Sequence, residues 1–147
     1  MKNNRILLVE DNLDHQELTL MTLSQNKVLN EVVVANDGIE ALDYLFATGT
    51  HAGRDARDLP ALVLLDLKLP KIGGIEVLRR IRADERTRYV PVVILTSSSE
   101  DEDMVASLEG GANSYVRKPV DFGNFAEQVQ RLQVYWLLVN QTPSAVR

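Results

Sequence analysis

The sequence predicts an α/β protein built on a doubly wound, five-stranded parallel sheet with helices on both faces. Two observations carry that expectation. Five short apolar runs alternate with helix-period segments along the chain, the pattern of successive strand–helix units in a parallel sheet. The runs also lack the apolar–polar alternation of a half-exposed strand, as strands covered on both faces must. In the central run, Leu62-Val63-Leu64-Leu65 leads straight into the carboxylate of Asp66.

Composition narrows the function classes. A chain of 147 residues is one domain with room for its own core. With 25% charged and 45% hydrophobic residues, most of it is expected to be ordered. The absence of cysteine excludes disulfides, thiolate metal sites and thiol nucleophiles and is compatible with a cytoplasmic setting. A formal charge of −5 argues against DNA or general nucleic-acid binding. No stretch approaches the roughly 20 apolar residues of a membrane span, and Met1-Lys2-Asn3-Asn4-Arg5 leads into a strand rather than a signal peptide.

Taken in order, Ile6-Leu7-Leu8-Val9 is the first strand and stops at Glu10-Asp11-Asn12. A helix with Leu13, Leu20, Met21 and Leu23 in its apolar pattern follows. Residues 31–35 form the second strand, ending at Asn36-Asp37-Gly38; Asp37 and Glu40 make a capping box for a helix carrying Ile39, Leu42, Leu45 and Phe46 on one face. Residues 48–58, rich in glycine and charge and without periodicity, read as an exposed loop. After the third strand come Pro70, Gly73-Gly74 and a helix with Val77, Leu78 and Ile81 inward and Arg79, Arg80 and Arg82 largely outward.

The fourth strand, residues 90–95, ends in Thr96-Ser97-Ser98-Ser99. The acidic residues beyond it favour a helix start and Gly110-Gly111 its end. A short fifth strand around Ser114-Tyr115-Val116-Arg117 leads to Lys118-Pro119. The last helix aligns Phe125, Val129, Leu132 and Trp136 on one face, as core. Right-handed crossovers permit the strand order 2-1-3-4-5, a flavodoxin-like sheet, which sets the ends of strands one, three, four and five side by side.

That edge gathers Glu10, Asp11, Asp66, Thr96 and Lys118. Three carboxylates packed together repel, and a hard divalent cation with oxygen ligands relieves this, Mg²⁺ being expected where phosphate also binds. With a lysine and a hydroxyl beside them, the set suits phosphoryl transfer onto an aspartate. Singly, Asp11 reads as a helix cap, Thr96 as a turn hydroxyl and Lys118 as a solvated charge, and Asp37 is read as a cap only. Their joint placement at strand ends favours an active site. His15 and His51 are both expected in solvent.

On these residues the chain resembles the receiver domain of two-component response regulators: the acidic pair Glu10-Asp11, Asp66 with Pro70 four residues on, Thr96 followed by a small residue, and Lys118-Pro119. The resemblance covers residues 4–134. It implies that Asp66 accepts a phosphoryl group from a sensor histidine kinase, in a phosphoacceptor that assists its own transfer and dephosphorylation rather than a turnover enzyme. It further implies that Asp11, Asp66 and the backbone carbonyl of Lys68 bind Mg²⁺ directly, with Glu10 acting through water. Thr96 and Lys118 would contact the phosphoryl group, Tyr115 would move with Thr96 on activation, and the peptide before Pro119 would be cis. Glu10 stands where many receivers have Asp.

Other classes fit less well. A haloacid-dehalogenase-type aspartyl phosphohydrolase needs a second Asp two residues after the nucleophile, where this chain has Lys68. A flavodoxin-like electron carrier would meet repulsion between Glu10-Asp11 and a flavin phosphate. A receiver-like scaffold working without phosphorylation would not require the complete residue set. Residues 135–147 read as a helix extension and tail with no output domain, so output is expected through contact with another protein or onward phosphotransfer. The loop at 48–58 and Tyr135-Trp136-Leu137-Leu138 are similar to single-domain regulators paired with bacterial phytochromes. Val134, Leu137 and Leu138 fall off the inward face of the last helix and predict a homodimer through that helix, against the alternative that the tail folds back on its own domain.

Overall fold

The apolar runs become strands, and every pairing among them is parallel. β1 (Ile6–Val9), β2 (Val32–Ala35), β3 (Leu62–Asp66), β4 (Val92–Thr96) and β5 (Ser114–Arg117) form one sheet in the order β2-β1-β3-β4-β5, as expected. The computed structural model describes residues 5–25, 28, 30–96, 109–118, 123–125 and 127. Register brings the strand ends level: Val9 lies opposite Ala35 and Leu65, Asp66 opposite Leu95, and Thr96 opposite Arg117. Residues just past these pairs, Glu10, Asn36 and Lys118, emerge along one edge.

The core explains why the runs do not alternate. Leu7, Val9, Val63, Leu65, Val92 and Ile94 join a cluster with residues of α2 (Gly38–Phe46) and α3 (Gly74–Ala83). Their neighbours Ile6, Leu8, Leu62, Leu64, Val93 and Leu95 join a second cluster with Leu23 of α1 (Leu13–Gln25) and with Phe125. Burying a large aliphatic side chain stabilises by about 1.5–3 kcal/mol. A polar residue is therefore tolerated in these strands chiefly where they end, which is where Asp66 and Thr96 stand.

Several local expectations are corrected. In α1 the inward residues are Gln16, Thr19 and Leu23, while Leu13 and Met21 are exposed. The helix packs beside a polar strand end, so a buried amide serves there better than an aliphatic chain. In α2 the Asp37 cap is present, with Oδ1 accepting from Glu40 N at 2.8 Å. Glu40 reaches back to Asn36 N, also at 2.8 Å, rather than to the cap residue's own N–H. Ile39 is exposed, and Tyr44 is buried in its place.

Arg82 does not point outward. Its guanidinium turns back and donates to Gly111 O (2.8 Å), Val90 O (2.7 Å), Arg88 O (3.1 Å) and Asn113 Oδ1 (3.0 Å). With Val90 O engaged there and Pro91 lacking an N–H, β4 starts at Val92 rather than Val90. Residues 48–58 are a fastened loop, with a 3-10 turn at Gly49–His51. Arg54 donates to Tyr44 O at 2.7 Å and lies 3.9 Å from the Tyr44 ring centroid, and Arg5 pairs with Asp58. His51 is drawn in by the same cluster, edge-on to Tyr44 at 5.2 Å and 3.7 Å from Glu40, not left in solvent.

Glu109 is helical and Gly111 has a φ of 107°, consistent with a helix ending at the glycine pair. The start of that helix, the Lys118–Pro119 peptide, the inward face at Val129, Leu132 and Trp136, and the stripe Val134, Leu137 and Leu138 lie outside the described residues. Among the described residues, no helix is long and apolar enough to cross a membrane.

Candidate active site

The loop after β1 is shaped by polar residues that leave its carboxylates available. Asn12, not Asp11, caps α1: its side-chain oxygen accepts from His15 N at 3.0 Å and its carbonyl from Gln16 N at 2.9 Å. Asp11 is thus relieved of the capping role and is exposed. Gln16 is buried and donates to Glu10 O at 2.6 Å and to Asn36 Oδ1 at 2.9 Å, tying the ends of β1 and β2 together. Glu10 is itself buried, and its Oε2 accepts from Asn12 N at 3.2 Å.

Asp66 closes β3 and is also buried. The chain then turns tightly, with Gly74 N donating to Leu67 O at 2.9 Å. Lys71 adopts a left-handed φ of 68° and pairs with Asp37 Oδ2 at 3.3 Å, so the loop after β3 is anchored to the start of α2. The Glu40 N–H, aided by Lys71, holds the Asp37 carboxyl below its usual range. The Lys68 side chain is exposed.

From the far side of the sheet, Thr96 is buried at the end of β4, and its carbonyl accepts from Lys118 N at 2.9 Å. This carries the Lys118 side chain over the crevice, where Nζ lies 2.5 Å from Glu10 Oε1 and 3.4 Å from Asp66 Oδ2. Tyr115, on β5, is half-buried against the cluster beneath α3. Glu10, Asp11, Asp66, Thr96 and Lys118 therefore meet at one edge, as the sequence leads one to expect.

One neighbour was not foreseen. His15 Nδ1 lies 3.1 Å from Lys118 Nζ and 3.9 Å from Glu10 Oε2. Its side chain is 40% exposed, so it meets solvent as expected while also reaching the site. The Asn12 cap fixes where its backbone lies, but nothing local in the sequence announces the meeting with Lys118.

The electrostatics are those of a net negative pocket that one lysine partly neutralises. Burial pushes the Asp66 carboxyl up from its ordinary value. The Lys118 charge pulls it back, the Glu10 charge pushes it further up, and the Lys68 backbone N–H lowers it. Glu10, Asp11 and Asp66 each offer an oxygen, and these three atoms lie within 4.8 Å of one another. An all-oxygen carboxylate set at that spacing fits a hard divalent cation. Lys118 alone meets only part of the negative charge.

A buried acidic crevice, with an aspartate at the carboxyl end of a central strand and a lysine over it, defines the class. The chain belongs to the response regulator receiver domains, whose family model matches residues 6–130. It is a receiver of two-component signalling, and its fold and acidic site suit a phosphoacceptor. Among its relatives, the probable methanogenesis regulatory protein FilR2 of Methanothrix harundinacea is 41% identical, over 94% of this chain and 86% of that protein. Response regulator Rcp1 of Synechocystis is 34% identical, over 95% of this chain and 93% of that protein. Of solved structures, the bacteriophytochrome response regulator AtBRR superposes with a TM-score of 0.85 at 50% identity, covering 96% of this chain and all (100%) of that one. The Mn²⁺-bound form of Rcp1 gives a TM-score of 0.74 at 33% identity, covering 95% of this chain and 99% of that one.

Proposed function

We propose that Asp66 receives a phosphoryl group from a sensor histidine kinase. The observation that carries this reading is the buried Asp66 carboxylate with Lys118 Nζ 3.4 Å from its Oδ2. In transfer, an Asp66 oxygen forms the new O–P bond, the bond from phosphorus to the donor breaks, and the donor leaves with the electron pair. Lys118 and the Thr96 hydroxyl hold the phosphoryl oxygens as charge moves onto them. Asp11, Asp66 and the Lys68 carbonyl would hold Mg²⁺, with Glu10 through water. Bound there, the ion supplies neutralising charge to the phosphoryl oxygens.

Tyr115 is the reporter in this reading. It turns inward as Thr96 is drawn to the phosphoryl group, and near-complete switching needs a difference of about 5.5 kcal/mol in how phosphate interacts with the two states. The names of AtBRR, a bacteriophytochrome response regulator, and of its counterpart RtBRR support a phytochrome-type kinase as donor. Output passes to a partner protein or onward as phosphate, in the cytoplasm, with Val134, Leu137 and Leu138 pairing two copies. The protein assists its own transfer and dephosphorylation without being a turnover enzyme. Labelling with acetyl phosphate in Mg²⁺ tests the assignment: the wild type should label and Asp66→Asn should not, and label retained by the mutant would refute it.

A further inference from the structure

Three groups surround the ammonium of Lys118: it is ion-paired with Glu10 Oε1 at 2.5 Å and with Asp66 Oδ2 at 3.4 Å, and it lies within hydrogen-bond distance of His15 Nδ1 at 3.1 Å. Two of these are carboxylates already given a role. The third is an imidazole with none. An ammonium has no lone pair to offer, so a hydrogen bond at this distance requires His15 Nδ1 as the acceptor, with the ring proton on Nε2. The same bond decides the 3.9 Å approach to Glu10 Oε2. A ring accepting at Nδ1 has no N–H there for the carboxylate, and Oε2 takes the N–H of Asn12 instead.

The ring's backbone is well fixed. Asn12 Oδ1 accepts from His15 N at 3.0 Å, and the next residue, Gln16, is bonded to both Glu10 O and Asn36 Oδ1. Those bonds fix where the His15 side chain leaves the first turn of α1, so that two side-chain torsions alone place the ring. Lysine, by contrast, is a point charge on a flexible stem with much rotamer freedom to lose.

We propose that His15 is a positioning residue for Lys118, its Nδ1 holding the ammonium over the crevice so that it meets a phosphoryl group arriving on Asp66. A neutral acceptor suits this task better than a fourth carboxylate. It restrains the stem without adding negative charge to a crowded acidic site, and competes less with phosphoryl oxygens for the lysine charge. This rests on the reading that Asp66 accepts phosphate and Lys118 contacts it.

The test uses the full chain, Mg²⁺ and acetyl phosphate, and compares initial labelling rates. His15→Leu keeps bulk but no acceptor, whereas the Asn oxygen of His15→Asn can stand where Nδ1 does. Losing one modest hydrogen bond should slow labelling about three- to tenfold in His15→Leu, with most of the rate restored in His15→Asn. In a Lys118→Ala background, His15→Leu should change nothing further. Independently of activity, ¹⁵N NMR of the metal-free wild type should show the His15 proton on Nε2. Wild-type labelling by His15→Leu while Asp66→Asn stays unlabelled overturns the positioning role alone, as does an Nδ1–H tautomer or an undiminished effect in the Lys118→Ala background. Labelling that survives in Asp66→Asn overturns the acceptor assignment, and this proposal with it.

Discussion

A methyl group at position 74 would lie 2.3 Å from the carbonyl oxygen of Asp66 and 2.7 Å from Leu67 Cα. Both are backbone atoms of the turn that carries the acceptor carboxylate, so neither yields by a rotamer change. Helix propensity alone favours alanine by about 0.8–1.0 kcal/mol, whereas overpacking of this kind costs about 1–3 kcal/mol. Gly74→Ala should therefore lower stability, by an amount on the order of 1 kcal/mol. Gly53, with nothing within 4 Å, is the control, and its alanine variant should stay within about 0.5 kcal/mol of wild type. Urea midpoints at constant slope decide it; a Gly74→Ala protein as stable as the parent would mean the turn has slack.

Asp66 should make the metal-free protein less stable as pH rises. Its folded-state carboxyl is raised by burial, so its contribution is fully present below the unfolded carboxylate value and is lost as pH climbs through the folded one. Carboxylates held low elsewhere act in the opposite sense, so the useful quantity is wild-type stability minus that of Asp66→Asn, measured in EDTA. That difference should fall on going from below the ordinary carboxylate range through the Asp66 titration and then level off. A flat difference would contradict the burial effect.

A divalent cation that binds only the folded chain should add about 2.7 kcal/mol at 100 times its dissociation constant. Asp11 is exposed and contributes one of the three clustered oxygens. Asp11→Asn should therefore lose most of that gain while being no less stable without metal, because a repulsive charge has gone. Thermal melts with and without Mg²⁺ read both effects. Equal Mg²⁺ responses in the two proteins would remove Asp11 from the ion's ligands.

Arg82→Ala should cost about 1–3 kcal/mol, because backbone carbonyls at Gly111, Arg88 and Val90 lose their donor. Lysine should recover only part of this, since one ammonium does not span acceptors that a planar fork reaches together. Denaturant unfolding of the two variants gives the ranking. Full rescue by lysine would reduce the guanidinium's role to charge.

Asp84 should titrate at about 2, held there first by the Arg86 side chain and then by the Arg86 N–H. Any stability it lends is present above the unfolded carboxylate value and lost as pH falls through about 2. In Arg86→Ala the backbone N–H, 2.8 Å from Asp84 Oδ1, remains. The carboxyl should then titrate higher but still below the ordinary 3.8. An NMR titration of the Asp84 carboxyl carbon measures this directly, and a midpoint unmoved by the substitution would assign the shift to the backbone alone.

What was legible in the sequence was whatever depends on position along a strand. Glu10, Asp66, Thr96 and Lys118 follow apolar runs whose lengths place them at one edge, so the acidic crevice emerges from counting. What was not legible depends on how far a helix is rotated and which distant carbonyl needs a donor. Gln16 is buried because Glu10 O and Asn36 Oδ1 lie against it. Arg82 turns inward for carbonyls up to 29 residues away along the chain. Tyr44 rather than Ile39 is covered because the loop at 48–58 folds over it. His15 belongs with these: its meeting with Lys118 spans 103 residues and has no local pattern.

The strand order assigns the carboxylates and the lysine to different mechanical settings. Glu10 and Asp66 follow or end β1 and β3, each clasped by a neighbour on both sides, whereas Lys118 extends from β5, which among the described residues has β4 alone beside it. Shifting an interior strand disrupts two ladders, and shifting a border strand disrupts one. The anionic floor of the site is thus the stiff member and its cationic arm the compliant one, so a push on the rim of the sheet reaches the chemistry through a single row of hydrogen bonds, and the chemistry can push back by the same row.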